Sequence, residues 1–150
     1  MQMIRVSEAH VDEVNEIILS SKSHWHSGTH YLEEAHHLLG IDGTWLKENE
    51  GWLIEDNEKS AGFLGFHRSE TFWYLEHLWI RPDSIGKNLG TQALEFLFKK
   101  AKRAKVTTVS LLPEPKAEDF YEKAGAKFSG LEVPSLLEGG PIFKEMKFFL

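Results

Sequence analysis

The sequence predicts an α/β domain in which a mixed sheet carries helices on both faces. Three observations predict it. Apolar residues recur with a helical period in some segments and alternate in others, the two kinds of segment follow one another along the 150 residues, and one strand is apolar on both sides. The predicted order, β-α-α-β-β-β-α-β-α-β-β, favours a sheet between helical layers. No repeat or Pro/Gly-rich linker divides the chain, so we expect one domain over residues 1–150.

The first third of the chain is predicted to hold one strand and two helices. Met3–Val6 is a short apolar strand, and Ser7 offers an N-cap to the helix that follows. Apolar residues recur there at helical spacing: Val11, Val14, Ile17 and Ile18. A second helix is expected at Tyr31–Leu39, and Trp45–Lys47 adds one more helical turn.

The middle of the chain is predicted to be a hairpin followed by a long strand. The hairpin consists of a strand at Gly51–Glu55, a turn at Asp56–Ser60 and a second strand at Ala61–His67. Thr71–Ile80 is apolar on both faces, which is typical of a central strand covered on both sides. Strict alternation assigns one face to Phe72, Tyr74 and Leu78, and the other to Trp73, Leu75 and Trp79.

The last part alternates helices and strands again. An amphipathic helix follows Pro82, with its apolar stripe at Leu89, Ala93, Leu94, Leu97, Phe98 and Ala101. A strand is predicted at Val106–Leu112 and a helix at Ala117–Lys123. Lys127–Val133 and Ile142–Phe149 are the remaining strands.

Composition excludes several classes of function. The 23 acidic residues outnumber the 17 Lys and Arg, which argues against a nucleic-acid partner and favours cationic ones. No apolar run is long enough to span a membrane, and the N-terminus lacks a signal-peptide pattern. The absence of cysteine excludes a thiolate nucleophile and fits a reducing compartment, so we expect a cytoplasmic protein with no membrane partner.

The segment Arg81–Thr91, RPDSIGKNLGT, is a candidate phosphate-binding turn between the long strand and the amphipathic helix. The first N–H groups of a helix lack partners within it and attract anions. Gly86, Asn88 and Gly90 allow close approach to those amides, and Lys87 adds a positive charge. Alone, the segment is more typical of a plain strand-to-helix turn, where Gly and Asn are common.

Two longer stretches resemble a known family. LEHLWIRPDSIGKNLGTQALEFLFKKA is similar to the acyl-CoA-binding motif of the GNAT superfamily of N-acetyltransferases, and EPKAEDFYEKAGAKFSG resembles its second signature. The resemblance implies a GNAT-like α/β (α+β) fold. It has a mostly antiparallel central sheet of six to seven strands, flanked by about four helices. It also implies acetyl-CoA as the acyl donor.

The resemblance assigns roles to particular residues. The strand before the motif would carry a bulge and diverge from its parallel neighbour, and the acyl-pantetheine arm would lie in the gap. The N–H of Leu78 would then polarise the thioester carbonyl. The implied cofactor contacts are Leu78, Trp79, Ile80, Ile85, Gly86, Lys87, Asn88, Leu89, Gly90, Thr91, Glu114 and Tyr121.

Three of these positions depart from the usual family pattern. Ile85 stands where Gln or Arg is common, Asn88 where Gly is common, and Glu114 where many members have Asn. They motivate an alternative in which the chain is a non-catalytic acyl-CoA or ligand-binding module. A structural domain without a CoA site is a third reading.

Tyr121 matches the family's common general acid, since a phenol can protonate the departing CoA thiolate. Without the resemblance, the sequence favours a core residue packed beside Phe120; the resemblance favours the catalytic role. A protonated amine cannot attack a thioester, so a base is also needed. Glu76, inside an apolar strand, is the first candidate and His77 the second. A structural ion pair is the plain alternative for either.

Five of the eight histidines lie within residues 23–37, SHWHSGTHYLEEAHH. Their spacing fits no defined metal motif, so no metal is predicted. The resemblance instead implies that this region forms a wall of the acceptor site, with Trp25, His26, His30 and Tyr31 in contact with the substrate. Aromatic rings there suit a cationic amine.

These observations together predict transfer of an acetyl group from acetyl-CoA to a primary amine by direct attack. The acceptor is a small molecule or a peptide that the sequence does not identify. A homodimer is compatible with the fold, and the Gly139–Pro141 loop and last strand are candidates for an edge-to-edge contact.

Overall fold

The computed structural model describes residues 1–25, 40–136 and 138–150. The strands in these ranges are β1 (Gln2–Arg5), β2 (Glu50–Asp56), β3 (Lys59–His67), β4 (Phe72–Ile80), β5 (Thr108–Leu111), β6 (Lys127–Pro134) and β7 (Ile142–Phe149). The α-helices are α1 (Val11–Trp25), α2 (Gly43–Glu48), α3 (Leu89–Arg103) and α4 (Glu118–Lys123). None of these helices is long and apolar enough to cross a membrane.

The seven strands form one sheet in the order β1-β2-β3-β4-β5-β7-β6. Every neighbouring pair is antiparallel except β4 and β5, which are parallel. The predicted mixed, mostly antiparallel sheet is therefore confirmed, as is the central place of β4. The predicted helix Tyr31–Leu39 lies outside the described residues. The proposed edge role of the last strand is wrong, because β7 is paired on both sides and β6 forms that edge.

Helices cover both faces of the sheet, as predicted. Helix α1 packs Val14 and Ile17 against Phe63 of β3 on one face. Helix α3 packs Leu94 and Leu97 on the opposite face, in a second cluster with the strands β3 to β5 and β7. All five side chains are fully buried. Burying an aliphatic or aromatic side chain of this size contributes about 1.5–3 kcal/mol, so these contacts orient the helices around β4.

A β-bulge lies in the middle of β4, at Glu76. The register pairs Phe66 with Leu75 and Gly65 with His77, so Glu76 is an extra residue. The bulge reverses which face each later side chain occupies. Leu75 and Leu78 pack on the α3 side and Trp79 on the α1 side. The alternation predicted for β4 is therefore wrong beyond Leu75, because a strict period of two cannot pass through a bulge.

The parallel strands β4 and β5 separate at the same point. Pairing covers only Phe72–Leu75 against Thr108–Leu111. Strand β5 ends there, while β4 continues to Ile80 along β3 alone. The divergence that the resemblance implied is thus present, and it leaves one side of β4 open next to the start of α3.

Candidate active site

A cavity of about 530 Å³ occupies the opening between β4 and the segment after β5, and extends to the first turn of α3. All the residues predicted to contact CoA line it, with Lys87 as the exception. From β4 these are Leu78, Trp79 and Ile80; from the turn and α3 they are Ile85, Gly86, Asn88, Leu89, Gly90 and Thr91; after β5 they are Glu114 and Tyr121. The residues that the resemblance assigns to CoA thus surround one cavity, and their contacts with CoA stay predictions.

The backbone N–H of Leu78 faces the open side of β4. Hydrogen-bonded and non-hydrogen-bonded residue pairs alternate along antiparallel strands. Arg81 N–H donates to the Ala61 carbonyl at 2.8 Å, which makes that pair hydrogen-bonded. In the same register Leu78 lies opposite Leu64, in a non-hydrogen-bonded pair. The N–H of Leu78 consequently points away from β3 and toward the cavity.

The turn before α3 has the backbone that an anion site needs. Gly86 has φ +90° and Asn88 has φ +63°, and both lie in the left-handed region. Asn tolerates this region better than most residues with a side chain, so it stands here in place of glycine without a change in the path of the chain. The first internal bond of α3 runs from Gln92 N–H to the Asn88 carbonyl. The preceding amides, at Leu89 to Thr91, have no intrahelical partner and border the cavity.

Two lysines lie near this turn, and only one of them lines the cavity. Lys87 Nζ lies 4.0 Å from Asp56 Oδ2, and half of its side chain is exposed. Lys116, which follows β5, lines the cavity and was not predicted from the sequence. Its contribution depends on the path of the segment after β5, for which the sequence contains no spacing signal.

Tyr121 is a buried phenol at the wall of the cavity. It lies on α4 and is 7% exposed. Burial raises its pKa well above the usual range of tyrosine, and the negative charge of Glu114 raises it further. The hydroxyl is therefore neutral at physiological pH and can donate a proton.

Glu114 pairs with a lysine from the opposite layer. Lys22 Nζ, on α1, donates to Glu114 Oε1, and both side chains are almost fully buried, at 5% and 11% exposed. Lys22 Nζ also lies 5.4 Å from the centre of the Trp79 ring. The ion pair connects α1 to the segment after β5, across the opening between the strands.

The carboxylate of Glu76 accepts three hydrogen bonds. Trp45 Nε1 donates to Oε2 at 2.6 Å, His77 Nε2 lies 2.7 Å from the same oxygen, and His67 Nε2 lies 2.8 Å from Oε1. Burial alone would raise the pKa of Glu76. The hydrogen bonds and charge interactions with His77 and His67 outweigh it and lower the pKa to about 2.

The bulge brings both predicted base candidates to one face of the sheet. Glu76 lines the cavity, whereas His77 is buried beneath it at 5% exposure. Trp79 Nε1 donates to His77 Nδ1 at 3.0 Å. Helix α2 carries Trp45, the third residue that contacts Glu76. The Asp42 side chain caps this helix by accepting a hydrogen bond from the backbone N–H of Trp45, 2.8 Å away.

Gly65 makes room for the indole that contacts Glu76. A Cβ at this position would lie 2.8 Å from the Trp45 ring. Trp45 and His67 were not predicted as site residues, and no local motif marks them. The register of β3 on β4, together with the bulge, brings His67 to Glu76, and helix α2 brings Trp45 there.

The residues predicted to bind the acceptor are not tested by the described part of the chain. Trp25 ends α1, and His26, His30 and Tyr31 lie outside the described residues, as do most of the clustered histidines. Their roles stay predictions.

The sequence and the structure were compared with known proteins. The profile of the Acetyltransferase (GNAT) family matches residues 11–126. An uncharacterized N-acetyltransferase, ycf52, of Porphyra purpurea is 32% identical over 80 residues, which cover 49% of this chain and 44% of that protein. The chain thus matches less than half the length of this curated relative.

Solved structures share the fold. A GCN5-related N-acetyltransferase from Rhodopseudomonas palustris has a TM-score of 0.83 at 15% identity, covering 99% of this chain and 95% of that one. The PaiA N-acetyltransferase from Thermoplasma acidophilum, solved in complex with coenzyme A, has a TM-score of 0.82 at 15% identity, covering 99% and 98%. At this identity the likeness shows the fold alone.

The family profile covers most of the chain, including β2 to β5 and the helices that enclose the cavity. Members of the family use acetyl-CoA, and transfer of its acetyl group to an amine is their typical reaction. The sequence, the fold and the comparisons agree that the chain belongs to the GNAT acetyltransferase family.

Proposed function

We propose that the chain is an acetyl-CoA-dependent N-acetyltransferase whose acceptor is a primary amine of a small molecule or peptide. One observation carries this proposal. A single cavity joins the open side of β4, with the N–H of Leu78, to the unpaired amides at the start of α3. An acyl-pantetheine arm and a pyrophosphate need those two features at opposite ends of one channel.

The donor is oriented by backbone groups. The pantetheine arm lies along Leu78, Trp79 and Ile80, and the pyrophosphate lies on the turn from Gly86 to Thr91. These contacts use N–H and C=O groups, so they tolerate Ile85 and Asn88 in place of the residues common in the family. Lys116 borders the cavity and adds a positive charge for a phosphate oxygen.

The chemistry is a direct attack of the neutral amine on the thioester carbonyl. The N–H of Leu78 stabilises the oxyanion of the tetrahedral intermediate, and removal of such a donor typically costs about 10²–10³ in rate. The C–S bond then breaks, and the Tyr121 hydroxyl protonates the thiolate. No covalent enzyme intermediate is required, which is consistent with a chain that contains no cysteine.

A second candidate is a non-catalytic acyl-CoA-binding module. The engagement of Glu114 favours it, because the carboxylate that stands at the usual Asn position already pairs with Lys22. A module of this kind would bind acetyl-CoA but would not transfer the acetyl group to any amine.

The first test is a thermal-shift titration with acetyl-CoA and, separately, with CoA. We expect saturable stabilisation, which reaches about 2.7 kcal/mol when the ligand is at 100 times its Kd. A screen of primary amines for acetyl-dependent thiol release then separates the two candidates. Stabilisation without thiol release would support the binding module, and no stabilisation at millimolar ligand would contradict both.

A further inference from the structure

We propose that His67, held in place by Glu76, accepts the proton that the amine must lose before it attacks. The inference rests on the proposed acetyl transfer and assigns the proton acceptor to β3 rather than to β4.

Both ring nitrogens of His77 already form hydrogen bonds. An indole N–H can only donate, so the bond from Trp79 Nε1 requires an unprotonated Nδ1 on His77. The ring proton must then be on Nε2, 2.7 Å from Glu76 Oε2, where it is donated to the carboxylate. The ring is 5% exposed, so it is closed to a substrate. His77 therefore fixes the position of Glu76 and has no site at which to receive a substrate proton.

Glu76 is a poor proton acceptor for a different reason. Donors occupy both of its oxygens, and two of them meet at Oε2. Its pKa of about 2 means that the carboxylate stays ionised throughout the neutral range. A group in this state holds a neighbouring ring in place and stabilises a positive charge on it, but it does not keep a proton.

His67 has what the other two lack. Its Nε2 lies 2.8 Å from the ionised Glu76, which can only accept, so Nε2 carries the proton and Nδ1 carries a lone pair. The side chain is 41% exposed; it does not itself line the cavity and adjoins it through Glu76, which does. Within residues 1–25, 40–136 and 138–150, no group hydrogen-bonds to Nδ1. In a carboxylate-oriented general base, one imidazole nitrogen donates a hydrogen bond to the carboxylate and the other keeps a lone pair for the incoming proton.

Two aromatic rings and one carboxylate surround the His67 ring. The Trp45 and Tyr74 rings pack beside it, with centroids 6.2 and 5.7 Å away. Burial, and then the charges of Glu76 and Glu145, raise the pKa of Tyr74 to about 12, so this phenol stays neutral. The neighbouring Arg68 is directed to Glu50, 3.4 Å away. Among the described groups that contact the His67 ring, Glu76 is the charged one, and it is negative.

The proposed step balances as follows. An N–H bond of the ammonium breaks, and its proton moves to His67 Nδ1, directly or through one water. The neutral amine attacks, a C–N bond forms and the C–S bond breaks. Tyr121 gives its hydroxyl proton to the thiolate, and the second proton lost by the amine nitrogen passes to the Tyr121 oxygen. The products are the amide and CoA thiol, and His67 returns its proton to solvent.

The test is His67→Gln with two isosteric acceptors, benzylamine and phenylhydrazine. Gln keeps an N–H donor for Glu76 but cannot take up a proton. Benzylamine is an ammonium ion at pH 7, whereas phenylhydrazine is mostly neutral. We expect kcat/KM to fall by about 10²-fold for benzylamine and only a few-fold for phenylhydrazine, and raising the pH should reduce the benzylamine defect.

His10→Gln is the matched control, because it makes the same change at a histidine whose ring contacts Ser7 and not Glu76. It should leave kcat/KM for both acceptors and its pH profile unchanged. Equal losses for both acceptors in His67→Gln, or no loss, would overturn the role of His67 while leaving acetyl transfer intact. If the wild-type protein transfers acetyl to neither acceptor nor to any amine of the screen, the proposed function itself fails.

A second measurement examines the tautomer without any substrate. In protein labelled with ¹⁵N-histidine, we expect the His67 ring to appear above pH 8 with its proton on Nε2. A proton on Nδ1 would contradict the assignment, since the lone pair would then face Glu76.

Discussion

At the scale of single residues, Tyr121 and Glu76 hold their charge states in opposite ways. Burial keeps the phenol protonated, whereas imidazole and indole donors keep the carboxylate ionised. Both side chains line one cavity, so a permanent proton donor and a permanent negative charge lie around the proposed point of attack. Such opposed environments are typical of sites where acid and base roles are divided.

Replacing Tyr121 by Phe removes the proposed proton donor and keeps the ring that packs against Phe148. We expect turnover to fall by about 10²-fold, with little change in the Kd of CoA or in the melting temperature. Steady-state kinetics, calorimetric titration and thermal unfolding of the same preparation would measure these effects. Unchanged turnover would remove Tyr121 from the mechanism.

Sequence reasoning at this scale depends on local signals. It identified Gly86 and Asn88 as turn residues, because a left-handed turn before a helix selects such residues. It failed for Trp45 and His67, which lie 31 and 9 residues from Glu76 along the chain. Their contacts depend on a bulge that no glycine or proline marks in the sequence of β4.

At the scale of elements, the turn between β4 and α3 shows how a departure from the family pattern is accommodated. Asn88 adopts φ +63° and ψ 18° at the N-terminal cap of α3. Its backbone therefore takes the conformation that a glycine would take. The departure at this position changes a side chain and leaves the amides of the turn in place.

Replacing Asn88 by Val tests this conclusion, because a β-branched residue is strained in the left-handed region by about 1–2 kcal/mol. We expect Asn88→Val to lower the free energy of unfolding by about that amount and to weaken CoA binding, and Asn88→Gly to preserve both. Urea unfolding and calorimetric titration would measure the two effects.

Asn57→Val is the matched control for that experiment. Asn57 has φ +49° in the turn between β2 and β3 and does not line the cavity. It should show a similar loss of stability with unchanged CoA affinity. If Asn88→Val bound CoA as tightly as the wild type, the turn would not be the phosphate site.

At the scale of the whole molecule, the order of helices and strands along the chain could be predicted, because each strand has its own apolar pattern and clear turn signals. The edges of the sheet could not be predicted, because β6 and β7 form a hairpin whose second strand turns inward to pair with β5. The homodimer stays a prediction, and the exposed edge for such a contact is β6 rather than β7.

The stability of the folded chain should depend on the ionisation of Glu76. Its pKa is about 2 in the folded protein, against an ordinary value of 4.5. A lowered pKa means that the stabilisation is complete above pH 4.5 and is lost as the pH falls toward 2. We expect the difference in free energy of unfolding between wild type and Glu76→Gln to shrink across this range.

Denaturant unfolding at a series of pH values would measure that difference. Glu95→Gln, at an exposed position of α3, provides the baseline for the loss of one surface carboxylate. A difference between wild type and Glu76→Gln that stays constant from pH 5 to pH 2.5 would contradict the hydrogen-bonded, ionised state of Glu76.

The early end of β5 has a mechanical consequence. Only four residue pairs join the four strands on the β1 side to the three on the β6 side. Beyond them, the two parts of the sheet are connected by side chains such as Lys22 and Glu114. A donor bound in the cavity would supply the hydrogen bonds that a longer β5 would have made. Amide exchange along the second half of β4 should then slow when the donor binds, so the substrate acts as an eighth strand of the sheet.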